Sequence, residues 1–221
     1  MKEASEDDNK MLAAQLRQPN GDIGIEVAKV MNDVNKYMIE ETIDSLGLCI
    51  NDTVLEIGHG NGYHIKWMVE TFKEFKYQGL DISETMHKVA SNYCESLGYS
   101  DCTDFTLYNG LVIPFPKEKF NKIFTVDTLY FWLSPVVFLN EIHRVLKPGG
   151  KFSIGFVTKN TLKELAFTEY GFDKYDQSDF SELVTQSNFN SFALTLYNEE
   201  MEDDFTGELV NREYFVAEMV K

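Results

Sequence analysis

The feature that most constrains this chain is the run Val54-Leu55-Glu56-Ile57-Gly58-His59-Gly60-Asn61-Gly62. A short apolar strand pattern over residues 53–57 ends in three alternate glycines, and a helical pattern follows over residues 63–72. Glycine lets a backbone turn tightly and approach a ligand with no Cβ in the way. The unpaired amides of the next helix then face whatever lies over the loop. Such a unit belongs in an open α/β sheet, where ligands bind at the carboxyl ends of the strands, near the point at which strand order reverses. The spacing departs from the dinucleotide fingerprint G-x-G-x-x-G. Its third glycine position is Tyr63, whose ring would crowd helix–strand packing. Glu56, just before the first glycine, suits a ligand with a positive amino group. Asp81 closes a second strand, and a carboxylate there accepts ribose hydroxyls. It does not separate nucleotide from nucleoside cofactors.

The rest of the pattern extends the same architecture. Further strands are predicted over residues 77–80, 105–108, 122–126 and 151–157. Helices are predicted over residues 83–97, with Ser83 as cap and Glu84 in the first turn, and over residues 136–146. Lys147-Pro148-Gly149-Gly150 stops the latter. Alternating strands and helices call for a parallel sheet with helices on both faces. Ahead of the glycine loop, Val27, Val30, Met31, Val34, Met38 and Ile39 recur at helical spacing and predict one helix over residues 25–46, stopped by Gly47. Residues 1–10 read as a disordered acidic tail, residues 11–50 as a helical cap and residues 51–221 as the main domain. Within it, residues 158–187 form a candidate substrate lid, with Ser178 capping a helix through Gln186. Residues 189–196 and 214–220 read as two last strands, with the acidic residues 198–204 as a loop between them.

Composition narrows the function classes. The formal net charge is −16. That disfavours nucleic-acid backbones and anionic membrane surfaces as partners. No run of about 18 apolar residues predicts a membrane span. The first ten residues lack the basic start and apolar middle of a secretory signal, so a cytoplasmic location is the expectation. The three cysteines, Cys49, Cys94 and Cys102, match no zinc spacing, and the four histidines form no metal-ligand cluster. No metal is therefore expected, and a monomer or homodimer is the expected state.

Five segments together resemble the class I S-adenosylmethionine-dependent methyltransferases. Glu56-Ile57-Gly58-His59-Gly60-Asn61-Gly62 resembles the family's first motif, and Leu80-Asp81-Ile82-Ser83 its second. Asn109-Gly110-Leu111-Val112-Ile113-Pro114-Phe115-Pro116, followed by Phe120 to Phe124, resembles the third and fourth. Glu141-Ile142-His143-Arg144-Val145-Leu146-Lys147-Pro148-Gly149-Gly150-Lys151 resembles the signature before strand five. Lys29 to Asp33 and Thr42 to Asp44 are faintly similar to the entry helix of quinone-biosynthesis C-methyltransferases. That closer likeness ends at Asp127-Thr128-Leu129-Tyr130-Phe131-Trp132.

The resemblance implies a Rossmann-like, seven-stranded, mostly parallel sheet with helices on both faces, its antiparallel last strand inserted between strands five and six. It implies S-adenosylmethionine as cofactor and in-line methyl transfer to a small-molecule acceptor. By the same resemblance, Glu56, Gly58, His59, Gly60, Asn61 and Gly62 hold the methionine part. Asp81 takes the ribose hydroxyls and Ile82 lies against adenine. Asn109 and Gly110 read the adenine edge, and Val126 and Asp127 face the sulfonium end. Tyr37, Tyr130, Phe131, Trp132 and Tyr170 are candidate substrate-pocket walls. His64, Asp127 and Tyr130 are candidate bases, with no assignment among them. Two other readings are a different nucleoside-cofactor transferase on the same fold, such as an aminopropyltransferase, and a non-catalytic methyltransferase-like partner protein.

Overall fold

In the computed structural model the chain is described over residues 5–202 and 209–221. Three helices come first: α1 (Glu6–Arg17), α2 (Gly21–Val34) and α3 (Lys36–Leu46). Then β1 (Thr53–Ile57), α4 (His64–Phe72), β2 (Lys76–Asp81), α5 (Glu84–Ser96), β3 (Thr103–Leu107) and β4 (Phe120–Val126) alternate. They are followed by α6 (Pro135–Val145), β5 (Leu146–Val157), α7 (Lys159–Lys163), α8 (Gln177–Thr185), β6 (Phe192–Glu202) and β7 (Leu209–Val220). The sheet order is β3-β2-β1-β4-β5-β7-β6. All neighbours from β3 to β5 are parallel, whereas β7 runs antiparallel to both β5 and β6. The Rossmann-like sheet with its inserted antiparallel strand is thus present. Strand order reverses between β1 and β4, so their carboxyl ends form the switch point at which a ligand crevice opens.

Alternate residues of β1 send side chains to opposite faces. Val54 joins a core with Ile43, Met68 and Phe124, while Leu55 and Ile57 join a larger one with Phe152, Ile154 and Phe156. Both faces of β1 are buried, as parallel strands covered by helices on each side require. Burying each large side chain contributes about 1.5–3 kcal/mol. Among the described residues, no helix is long and apolar enough to cross a membrane.

Several sequence expectations need correction. Residues 6–10 are not a disordered tail but the first turns of α1. Ser5 and Asp8 form a reciprocal capping box, and Glu6, Asp7 and Asp8 complement the helix dipole. Residues 1–4 of that segment lie outside the described residues. The single helix over residues 25–46 is two, broken at Asn35, whose φ and ψ of −97° and 3° leave the helical region. One residue of interruption preserves apolar spacing on both sides, so periodicity does not reveal it.

The helix assigned to Ser178 is capped instead by Asp176, because Asp179 at its third position returns a bond to the cap backbone. Residues 198–202 are strand rather than loop, paired as far as Glu202↔Leu209. Residues 203 and 204 of the same stretch lie outside the described residues. β6 is an edge strand, and an edge accepts charged side chains on its open face.

Candidate functional site

Gly58, Gly60 and Gly62 all adopt left-handed φ, at 78°, 56° and 71°. Gly58 follows from a close approach: a Cβ there would stand 2.5 Å from Thr128 Cγ2, in the loop after β4. Gly62 lets α4 and α5 approach, since its Cβ would meet Ala90 Cβ at 3.0 Å. Above Gly60 an added Cβ meets nothing within 4 Å, so open space lies over the middle of the loop.

Asp81 stands at the tip of β2 beside this loop. Its Oδ2 accepts from the Gly60 amide at 3.0 Å, and its Oδ1 from the Ser83 amide at 2.8 Å. Each carboxylate oxygen offers about two lone-pair sites, so both keep accepting capacity for a diol. Asn61 donates to the Ala28 carbonyl at 3.1 Å and accepts from the Tyr63 amide, tying α2 to the loop. Ser83 Oγ donates to the Pro19 carbonyl, and Gln18 Nε2 to the Ile82 carbonyl at 2.9 Å. The helical cap therefore roofs the β2 side of the crevice.

Glu56 is buried, and its Oε2 accepts from both the Tyr77 hydroxyl and His64 Nε2, the latter at 2.8 Å. Burial, followed by the Glu56 charge, pushes the Tyr77 phenol well up, so it stays a donor. His64, a candidate base from the sequence, turns back from the first turn of α4 onto Glu56. His59 lies under the loop, its Nδ1 2.8 Å from the Gly60 carbonyl and its ring edge-on to Phe105. Its Nε2 is buried without a partner among the described residues, and burial holds its pKa below the usual value.

Asn109 needs correction. Its Oδ1 accepts from the Leu111 and Val112 amides at 2.9 and 3.2 Å, closing its own turn. That leaves no free acceptor for an adenine amino group in this arrangement. Gly110 lies against Ile82 at the same rim, where its Cβ would meet Ile82 Cγ2 at 3.2 Å.

Across the switch point, Val126 packs between the two cores and Asp127 ends β4 with φ at 55°. A non-glycine residue in this region is uncommon, although aspartate tolerates it better than most. The Tyr130 hydroxyl donates to Asp127 Oδ1 at 2.8 Å, and Arg212 Nη2 stands 3.5 Å from Oδ2. Burial pushes the Asp127 carboxyl up, while Arg212, Tyr130 and Asn35 pull it down. Arg212 also donates to Glu199 Oε1 at 3.1 Å, to Asn35 Oδ1 at 2.7 Å and to the Val34 carbonyl. Sequence reasoning missed Arg212, Glu199, Asn35 and Tyr77. The available signal for Arg212 is a single basic residue in a strand beside an acidic stretch.

The predicted pocket walls divide. Phe131 remains partly buried against Phe172. Tyr170, under the Lys10 ammonium, sits where α1 meets the 158–187 segment. Tyr130 and Trp132 are core residues: the loop after β4 folds inward, and Trp132 Nε1 donates to Thr128 Oγ1 at 3.1 Å. Tyr37 is 61% exposed, its ring beneath the Lys36 ammonium rather than over the crevice. Two cavities of about 220 Å³ open at the amino ends of the strands, beside Thr53 and Lys76 and beside Asp52 and Lys147. Neither contains a predicted site residue.

Residues 55–154 match the family described as Methyltransferase domain. The chain is 31% identical over 127 residues to an uncharacterized methyltransferase, YdaC, of Bacillus subtilis, covering 57% of this chain and 67% of that protein. It is 25% identical to erythromycin 3''-O-methyltransferase of Saccharopolyspora erythraea, over 61% of this chain and 44% of the relative. The chain thus spans two thirds of one relative and under half of the other. A SAM-dependent methyltransferase from Aquifex aeolicus superposes with a TM-score of 0.63 at 20% identity, covering 88% of this chain and 97% of that one. A switch-point glycine loop beside a strand-end aspartate, on this strand order and with these relatives, places the chain in the class I S-adenosylmethionine-dependent methyltransferases.

Proposed function

We propose that this methyltransferase acts on a small-molecule acceptor, with the cofactor lying across the tips of β1 and β2 and the acceptor over β4, β5 and β7. The observation that carries the cofactor placement is the bond from the Gly60 amide to Asp81, which sets a two-oxygen acceptor against a bare glycine loop. Glu56 and the Gly58 to Gly62 backbone, with His59 and Asn61 beneath it, hold the methionine end. Asp81 accepts the ribose hydroxyls. Ile82 and the Gly110 amide border the adenine. Val126 and Asp127 stand at the sulfonium end.

The bound cofactor supplies a methyl group on a good leaving group. Residues around the acceptor then act mainly by alignment, and orientation supplies about 7–11 kcal/mol in favourable cases. Phe131 and Tyr170 border the acceptor, and residues 158–187 cover it as a lid. The surplus of acidic side chains supports an acceptor other than nucleic acid.

Calorimetric titration with S-adenosylmethionine tests the placement. Binding with Kd well below 1 mM, stronger than about 4 kcal/mol, is the expected result. Weaker binding removes the proposal. Labelled-cofactor turnover of a metabolite extract then tests the acceptor class.

A further inference from the structure

We infer that the cluster of Asp127, Arg212 and Glu199 is an acceptor-selecting site that takes a cationic amine, with Asp127 receiving its proton. The inference rests on the methyl-transfer reading above and adds the acceptor's chemistry to it.

Place is the first observation. Asp127 directly precedes Thr128, the residue that packs on Gly58 of the cofactor loop. The left-handed backbone of Asp127 is costly and persists where surroundings hold it, as functional sites do. Arg212 lies on β7 and Glu199 opposite it on β6, so the cluster sits over the half of the sheet left to the acceptor.

Donor and acceptor counts are the second. Arg212 is 92% buried by its side chain's 8% exposure, and its two terminal nitrogens are committed. Nη1 donates to the Val34 carbonyl and to Glu199 Oε1, and Nη2 donates to Asn35 Oδ1 and faces Asp127 Oδ2. The Tyr130 hydroxyl is spent on Asp127 Oδ1. Against these committed donors, Glu199 Oε2 is buried with no partner among the described residues. Such an atom carries a desolvation cost until a donor reaches it. An anionic acceptor would meet committed donors and two carboxylates. An ammonium group meets one acceptor in need of a donor, Glu199 Oε2, and the Asp127 carboxylate beside it.

Charge is the third. Two carboxylates face one guanidinium, leaving a surplus negative charge when both are ionised. Burial pushes Asp127 and Glu199 up, each opposed by Arg212. Asp127 is thus suited to hold a proton taken from the acceptor. Phe131 and Phe172, both partly buried, pack edge to face with centroids 4.7 Å apart beside the Tyr130 ring and offer ring surface to an amine's carbon skeleton.

The step balances. The ammonium nitrogen first gives one proton to the Asp127 carboxylate, freeing its lone pair. A nitrogen–carbon bond then forms to the methyl group as the carbon–sulfur bond breaks, its electron pair going to sulfur. The methylated amine leaves as an ammonium ion, and Asp127 releases its proton to solvent.

Three matched probes test the site by binding alone: phenethylamine, 2-phenylethanol and phenylacetate, titrated calorimetrically into the enzyme saturated with S-adenosylhomocysteine. Phenethylamine should bind at least tenfold more tightly than either of the others, and Glu199→Gln should reduce that preference to less than threefold. Phenylacetate or the alcohol binding as well as the amine, no measurable amine binding, or a preference unchanged in Glu199→Gln would overturn the inference. The wild-type ranking decides it even if the variant fails to fold. Failure of S-adenosylhomocysteine itself to bind would sink the methyl-transfer reading instead, and is seen in the same titration.

Discussion

The tips of β1 and β2 and the tips of β4, β5 and β7 are held together by different kinds of bond. At the Asp81 tip of β2 the ties are backbone amides to one carboxylate, from segments within about two dozen positions of each other. Gly60 and Ser83 both donate to Asp81. Over β4 and β7 they are side-chain charges brought from far apart. Arg212 reaches the Val34 carbonyl across 178 positions. The first arrangement leaves open space over glycine and suits a ligand of fixed shape. The second concentrates buried charge and suits discrimination between acceptors.

Replacing Arg212 by Met should have the largest effect. Asp127 and Glu199 would lose their common cation, and leaving buried charge uncompensated costs about 3–5 kcal/mol. Thermal denaturation should show that loss. A shift under about 1 kcal/mol would mean that the carboxylates are solvated and that both regions rest on similar bonds.

Asp81→Ala acts on the other side. It should weaken cofactor binding by about 1–3 kcal/mol, as ribose hydroxyls and the Gly60 amide lose an acceptor. Calorimetry giving unchanged affinity would put the ribose elsewhere.

A smaller effect separates the regions by pH. Burial keeps folded His59 below the ordinary value of 6.5, with Asp81 and Glu56 opposing. The unfolded chain then takes up a proton that the folded chain refuses, so this stability is present above about 6.5 and lost as pH falls below it. Melting temperature should fall less steeply between pH 7 and pH 5 in His59→Leu than in the wild type. Equal slopes would acquit the buried imidazole.

Tyr37→Ala should do least. Exposed and away from the crevice, it should alter stability by no more than about 0.5 kcal/mol and leave acceptor KM unchanged. A fivefold rise in KM would restore Tyr37 as a pocket wall.

What the sequence makes legible follows the same division. The turn at the glycine loop, the strand end at Asp81 and the Ser83 cap are legible because each is a local pattern in the chain. Asn109 is misread although local, since a side-chain amide that closes its own turn looks in sequence like one free to meet a ligand. The Arg212 cluster is illegible because its members come from α2–α3, β4, β6 and β7, and only tertiary closure unites them. Tyr130 and Trp132 show the limit for aromatics: composition places them near the site, but only the inward fold of the loop assigns them to the core.

The position of β7 has a consequence for how the molecule is made. β6 joins the sheet only through β7, and β5 has β7 as its outer neighbour. A chain emerging from the ribosome therefore presents one bare strand and one open sheet edge until the residues of β7 follow. β7 supplies the antiparallel partner for both. That interval is when nascent molecules are most exposed to mispairing with one another.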